Sequence, residues 1–206
     1  MLNMMAFTTP CWEKRRSLQA FRAGLWALLV GLMLAGPAIG QNARVDYAEI
    51  VVDGSNYVIN ADISLSLKPA VADAIERGIP IHFIVETAIE APRWYWFDAT
   101  VIARVLPYRL TYQPITRSYR LAIGKLHQNF DSLDEAVRTM ARVRRWMITP
   151  MEALTPGQSY NVSLRFRLDT SQLPPPFQVS TLGSDDWQIG SEWMRWTFLA
   201  SPLGKQ

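Results

Sequence analysis

The chain has 206 residues, of which 49% are hydrophobic and 19% are charged, so its composition is that of a folded globular protein. Its 21 basic and 18 acidic residues include four basic and one acidic residue within residues 1–40, which leaves 17 of each in the remainder. Because residues 41–206 carry no net charge, they are not expected to bind nucleic acid, which depends on neutralising phosphates. The single cysteine, Cys11, also lies in this leader, so the remainder has no disulfide and no thiolate metal site.

Residues 1–40 have the layout of a secretory signal peptide. A basic leader precedes an apolar run over residues 24–35, and a Gly-Pro pair ends that run. The small residues Ala38 and Gly40 then occupy the −3 and −1 positions of a predicted cleavage before Gln41. We therefore expect export, and a mature protein that is periplasmic or secreted.

An uncleaved anchor is the alternative for this segment. Residues 23–39 are apolar or small, and seventeen such residues are at the lower limit of length for crossing a bilayer. In that case the domain stays attached to the inner membrane, and this segment is its only membrane contact. In both cases residues 41–206 form the exported domain, and its lack of cysteine fits a bacterial envelope protein.

Short strands dominate the prediction for residues 41–206. The clearest alternation runs over residues 57–67, where apolar side chains share one face and polar ones the other. A short helix begins at Pro69 and ends before Gly78 and Pro80. Similar reasoning predicts further strands at residues 45–52, 79–89, 93–99, 101–112, 119–123, 159–169 and 193–199.

A second helix is predicted from residue 132 onward. Ser132 and Glu135 form a capping box, which marks a helix start. The apolar stripe of this helix is extended to Val143, and the arginines at positions 138, 142, 144 and 145 are assigned to its carboxyl end. The whole pattern predicts a mainly β protein, an antiparallel β-sandwich of one domain with two short helices that cover an edge or an open end. An immunoglobulin-like architecture is one form of such a sandwich.

Four stretches of the sequence resemble a known family. They are PRWYWFD (92–98), YRLTYQPITRSYRLAIGKLHQNFDSLDEA (108–136), LRFRLDTSQLPPPFQV (164–179) and LGSDDWQIGSEWMRW (182–196). They are similar to the proteobacterial exported proteins grouped as domain of unknown function 4390, some of which are labelled proline-rich signal peptide proteins. The resemblance implies a signal peptide, one domain and no established activity, and it supplies no functional residues.

The search for catalytic and cofactor motifs finds none. There is no HExxH, no G-x-S-x-G, no Walker loop and no G-x-G-x-x-G, so we predict no catalytic residues, no metal and no cofactor. His82 is interpreted as an outward surface residue, with a charge pair to Glu86 as an alternative, and His127 as a structural residue in a loop. Asp185 and Asp186 are interpreted as turn residues.

Tryptophan and arginine are concentrated in a way that indicates a surface site. In strands, Trp94, Trp96 and Asp98 share one face, while Arg165 and Arg167 both point outward. One interpretation is a Trp–Arg ladder that covers an outer sheet face, and the other is an exposed platform for a glycan or a protein. The candidate binding residues are Arg93, Trp94, Trp96, Asp98, Arg165, Arg167, Trp193 and Arg195.

The function that follows is that of a non-catalytic exported envelope protein, a binding or protein-interaction module whose partner is an unknown envelope protein or glycan. The alternative is an envelope enzyme, a carboxylate-based hydrolase acting on glycan with residues such as Asp98, Glu86 or Glu90. Such a hydrolase needs two carboxyl groups within about 5–9.5 Å. Glu86 and Glu90 are four residues apart on one strand face, about 13 Å, so this pair alone does not suffice.

Overall fold

The computed structural model describes residues 42–92, 99–175, 177 and 185–201. The predicted strand at 93–99 therefore lies outside the described residues except for its last position. Nine strands are described: β1 Ala43–Asp53, β2 Asn56–Leu65, β3 Ile81–Ala91, β4 Ala99–Gln113, β5 Ser118–Ile123, β6 Leu126–Phe130, β7 Arg142–Pro150, β8 Ser159–Leu168 and β9 Met194–Leu199. The two α-helices are α1, Pro69–Glu76, and α2, Leu133–Met140.

The strands form two antiparallel sheets. The smaller sheet has the order β1-β2-β7, and the larger one has the order β6-β5-β4-β3-β8-β9. The mainly β, sandwich-like fold with two short helices is thus as predicted. The division of the described strands into three and six differs from the four and three of an immunoglobulin constant-type domain, because β3 to β6 follow one another as a meander in one sheet.

The core lies between the inner faces of the two sheets. Alternation places Tyr57 of β2 and Phe166 of β8 inward, and both are almost fully buried. Tyr57 meets Phe198 of β9 edge to face, with ring centroids 5.1 Å apart, and Phe83 stacks on Phe166 at 5.5 Å. Burial of large side chains from both sheets stabilises the sandwich without any disulfide.

The two helices cover parts of the larger sheet that the smaller one leaves open. Helix α1 begins with Pro69 at its first turn and packs against β3 and β4, while α2 packs against β5 and β6. As predicted, the Ser132 side chain caps α2 by accepting a hydrogen bond from the Glu135 backbone N–H. Within the described residues, no helix has the length and apolar character needed to cross a membrane.

The predicted extension of the second helix to residue 145 is wrong. Helix α2 ends at Met140, and Arg142 begins β7, whose Val143 pairs with Ala61 of β2. Arg144 pairs with Asp62, with 2.5 Å between Nη2 and Oδ1, instead of supporting a helix end. Pairing with β2 and burial of Val143 stabilise a strand here more than the local helical pattern stabilises a helix.

The loop assignment of His127 is also wrong. His127 lies in β6, a strand that the sequence pattern did not indicate. Four of the five residues of β6 are exposed because it is the edge strand of the larger sheet. An edge strand exposed on both faces has no alternation of apolar and polar residues by which it can be recognised.

Candidate functional site

Four of the eight candidate residues lie together on the outer face of the larger sheet. Arg165 and Arg167 extend outward from β8, Trp193 immediately precedes β9, and Arg195 lies on β9. We call this set, with Glu86 of β3, the outer-face cluster. The other four candidates, Arg93, Trp94, Trp96 and Asp98, lie outside the described residues.

Glu86 is the centre of the cluster. Strand pairing places it directly opposite Arg165, and its carboxylate accepts hydrogen bonds from both arginines. Oε2 is paired with Nε of Arg165, and Oε1 lies 2.9 Å from Nη2 of Arg167. Only 17% of the Glu86 side chain is exposed, so these are partly desolvated ion pairs rather than surface contacts.

Trp193 completes the cluster by stacking. The guanidinium carbon of Arg165 lies 4.4 Å from the centroid of a Trp193 ring, within the range of a cation–π contact. Arg165 is therefore held on one side by an indole and on the other by a carboxylate. A guanidinium fixed by two different groups loses little further conformational freedom when another molecule binds beside it.

The segment before β9 positions Trp193 through backbone pairing with β8. The Leu168 N–H donates to Ile189 O and the Ser191 N–H donates to Phe166 O, each at 2.8 Å. The Ser191 hydroxyl in turn accepts from the Phe166 N–H at 3.0 Å. These bonds run beside the carboxyl half of β8, where the Arg167–Gly190 bridge extends the sheet edge and leads the chain to Trp193.

The electrostatics of the cluster favour an ionised Glu86. Burial raises its pKa, but the hydrogen bonds and charges of Arg167 and Arg165 outweigh burial and hold the pKa below its usual value. Asp169 adds a second carboxylate, 3.9 Å from Nη1 of Arg167. The Nε of Arg167 is nevertheless buried without a hydrogen-bond partner, so one donor of the cluster is unsatisfied.

A row of small side chains lies beside the cluster. Ala103, Ala88 and Ser163 are directly opposite one another on β4, β3 and β8, and Arg195 of β9 is opposite Ser163. The next row on the same face holds Glu86 and Arg165. This row ends at Arg195, which is exposed and has no ion pair within the described part of the chain.

The structure also locates the weaker candidates. His82 extends from the outer face of β3 but is not the partner of Glu86, which both arginines occupy. Burial is the main cause that lowers the pKa of His82, with a smaller contribution from the charge of Arg109. Asp185 and Asp186 open a short 3-10 helix that buries Trp187. In residues 42–92, 99–175, 177 and 185–201, no three His, Cys, Asp or Glu side chains come together as a metal site.

The sequence alone did not reveal the central role of Glu86. The pairing of β3 with β8 sets Glu86 against two arginines that lie some eighty positions away along the chain. The alternation of apolar and polar residues predicts that Arg165 and Arg167 point outward. It does not predict which strand pairs with theirs.

Comparison with known proteins identifies a family for this chain but indicates no activity. The chain matches no curated protein and no solved structure. A family model, Domain of unknown function (DUF4390), matches residues 40–197, which is more than half of the chain. The chain therefore belongs to the DUF4390 family.

Proposed function

We propose that this protein is a non-catalytic interaction module of the bacterial envelope that is exported by its N-terminal segment. Export rests on the apolar run before Gly36 and on the small residues Ala38 and Gly40. After removal of residues 1–40 the domain is periplasmic, and without removal it is anchored in the inner membrane. Proteobacterial origin is part of the same proposal and rests on the resemblance in the sequence.

The outer-face cluster is the binding surface in this proposal. The observation that supports this proposal is the stacking of Trp193 on Arg165, whose guanidinium group is also held by an ion pair with Glu86. Tryptophan and arginine in a partly desolvated, rigid setting are the residues that most often dominate protein–protein interfaces. Exposed Arg195 and the neighbouring row of small side chains provide an accessible border for the partner. We therefore favour an envelope protein over a glycan as the partner.

Site-specific photocrosslinking in intact cells tests the proposal. A photoreactive phenylalanine at Arg195 is expected to yield a discrete adduct with one envelope protein. The same group at Tyr47, which is 48% exposed on the opposite sheet, serves as the control and is expected to yield none. Trp193→Ala in the Arg195-labelled protein is expected to abolish the adduct, while thermal melting shows that the fold is retained.

Two outcomes contradict the proposal. One is labelling of the same proteins from positions 195 and 47, which indicates random collisions. The other is an adduct that persists with Trp193→Ala. An adduct with polysaccharide instead of protein, again dependent on Trp193, assigns the surface to a glycan and replaces the protein partner.

A further inference from the structure

One half of the larger sheet carries only positive charge. Residues 99–130, which form β4, β5, β6 and their turns, contain five basic residues and no Asp or Glu. The domain as a whole is neutral, so this region has a local excess of cations that other parts of the chain balance. Its outer face meets the outer-face cluster at His82, whose carbonyl oxygen accepts from the Asp169 N–H at 2.8 Å, and it does not depend on the function proposed for that cluster.

Strand pairing arranges polar side chains in a row across this outer face. His82 of β3 is opposite Arg109 of β4, Arg109 is opposite Ala122 of β5, and Ala122 is opposite His127 of β6. Arg120 lies two residues from Ala122 on the same face, diagonally beside Arg109, and such diagonal neighbours are about 7–8 Å apart. The two guanidinium groups are thus neighbours of like charge.

Among the described residues, neither arginine has a carboxylate partner. Within the described part of the chain, Arg109 and Arg120 form no ion pair, and the Nε of Arg120 is buried without any hydrogen-bond partner. Arg109 and Arg120 are diagonal neighbours rather than directly opposite one another, so their repulsion is moderate, and an anion beside them would reduce it. Two adjacent cations with an unsatisfied donor therefore indicate a missing negatively charged ligand.

A depression in the surface provides the space for that ligand. It measures about 230 Å³ and is lined by His82, Pro107, Tyr108, Arg109, Ala122 and Gly124. The small Ala122 and Gly124 leave room between Arg109 and the turn that carries Lys125. The concave shape holds one compact group rather than an extended apolar ligand.

We propose that Arg109, which lines this depression, binds a phosphate group there, with Arg120 on the other side of Arg109 as a second donor. Guanidinium donors match phosphate oxygens in geometry, and hydrogen bonds between charged groups are the strongest available to a surface site. A single carboxylate is satisfied by one bidentate arginine, whereas a tetrahedral phosphate has oxygens for two arginines on different strands. The phosphate belongs to a soluble phosphate ester or to a phospholipid headgroup.

Nuclear magnetic resonance of the histidines tests this site directly. The chain has two histidines, His82 and His127, and both belong to the row. The full-length protein is titrated with inorganic phosphate in place of chloride at constant pH and ionic strength. We expect a saturable shift of the imidazole signal of His82, and about tenfold weaker binding for Arg109→Gln, the loss expected for one charge-assisted hydrogen bond.

Two further variants and a second titration complete the test. Arg120→Gln is expected to weaken binding like Arg109→Gln, while Arg138→Gln removes the same charge from the exposed surface of helix α2 and is expected to leave phosphate binding unchanged. The protein is then placed in nanodiscs of phosphatidylglycerol or phosphatidylcholine, so that its N-terminal segment contributes equally to both. A His82 shift with inorganic phosphate assigns a soluble ester, and a shift only with phosphatidylglycerol assigns a headgroup. The proposal is overturned when neither probe gives a saturable shift, or when Arg138→Gln and Arg109→Gln behave alike.

Discussion

At the level of single residues, Glu86 has the most consequential position among the described acids. Its carboxylate holds two arginines, which would otherwise repel each other on the outer face of β8. Each arginine is about one third exposed, so solvent weakens but does not cancel these interactions. Glu86 holds both arginines in the cluster, and Trp193 adds a second contact to Arg165.

Glu86→Gln is expected to lower the free energy of unfolding by about 1–3 kcal/mol, because the two guanidinium groups lose their charged acceptor. Urea denaturation measures this change. Glu90→Gln is the matched control on the same strand face, since among the described residues Glu90 accepts one weak side-chain bond, at 3.5 Å, from Thr100. Equal losses for the two variants would show that the cluster contributes nothing particular to stability.

His82 predicts a pH dependence of stability. Because its pKa is lowered in the folded protein, the folded state binds the proton less readily than the unfolded state, whose pKa is near 6.5. The stability that depends on a neutral His82 is fully present above pH 6.5. It is lost as the pH falls from 6.5 towards the pKa of His82 in the folded protein. Denaturation at pH 7.5 and pH 5.5 is expected to show a smaller drop for His82→Gln than for the wild type. A drop of equal size in both proteins would assign the pH dependence to other groups.

At the level of elements, β7 depends on an unusual backbone conformation. Arg145 has φ of +50°, in the left-handed region, where β2 and β7 fall out of simple register. The Asn60 side chain accepts from its backbone N–H at 3.0 Å, and Asp53 pairs with its guanidinium at 2.7 Å. These contacts hold an arginine where glycine is normally preferred.

Comparing Arg145→Gly with Arg145→Ala isolates this backbone strain. Both variants lose the pair with Asp53, but only glycine adopts a positive φ without cost. We expect the glycine variant to be more stable than the alanine variant by about 1 kcal/mol. Thermal and urea unfolding of the two proteins measure the difference. An alanine variant as stable as the glycine variant would mean that the backbone rearranges at this position.

The same element shows what the sequence could and could not predict. Strands β2, β3 and β8 follow from strict alternation, because each has one face in the core and one outside. The sequence did not predict strand β7, because Val143 continues the apolar spacing of α2. Only pairing with β2 distinguishes a strand at this position from a longer helix. In the candidate site, the outward direction of Arg165 was predictable, whereas its contact with Trp193 required the path of residues 189–193 along β8.

At the level of the whole molecule, we propose that the N-terminal segment determines where the domain acts. Cleavage after Gly40 is expected, because the residues at −3 and −1 are small. Intact-mass measurement of protein extracted from the envelope is expected to give a chain that begins at or near Gln41. Recovery of the 206-residue species alone, in the membrane fraction, would instead establish the anchor.

The order of strands in the smaller sheet has a consequence for the time at which that sheet can assemble. Strand β2 pairs with β1 across a tight turn, but its other neighbour, β7, begins about eighty residues further along the chain. During synthesis, which begins at the N-terminus, the β1–β2 hairpin emerges first, and the free edge of β2 stays unpaired until β7 has followed. Contacts so distant in sequence close slowly, so this sheet is expected to form late.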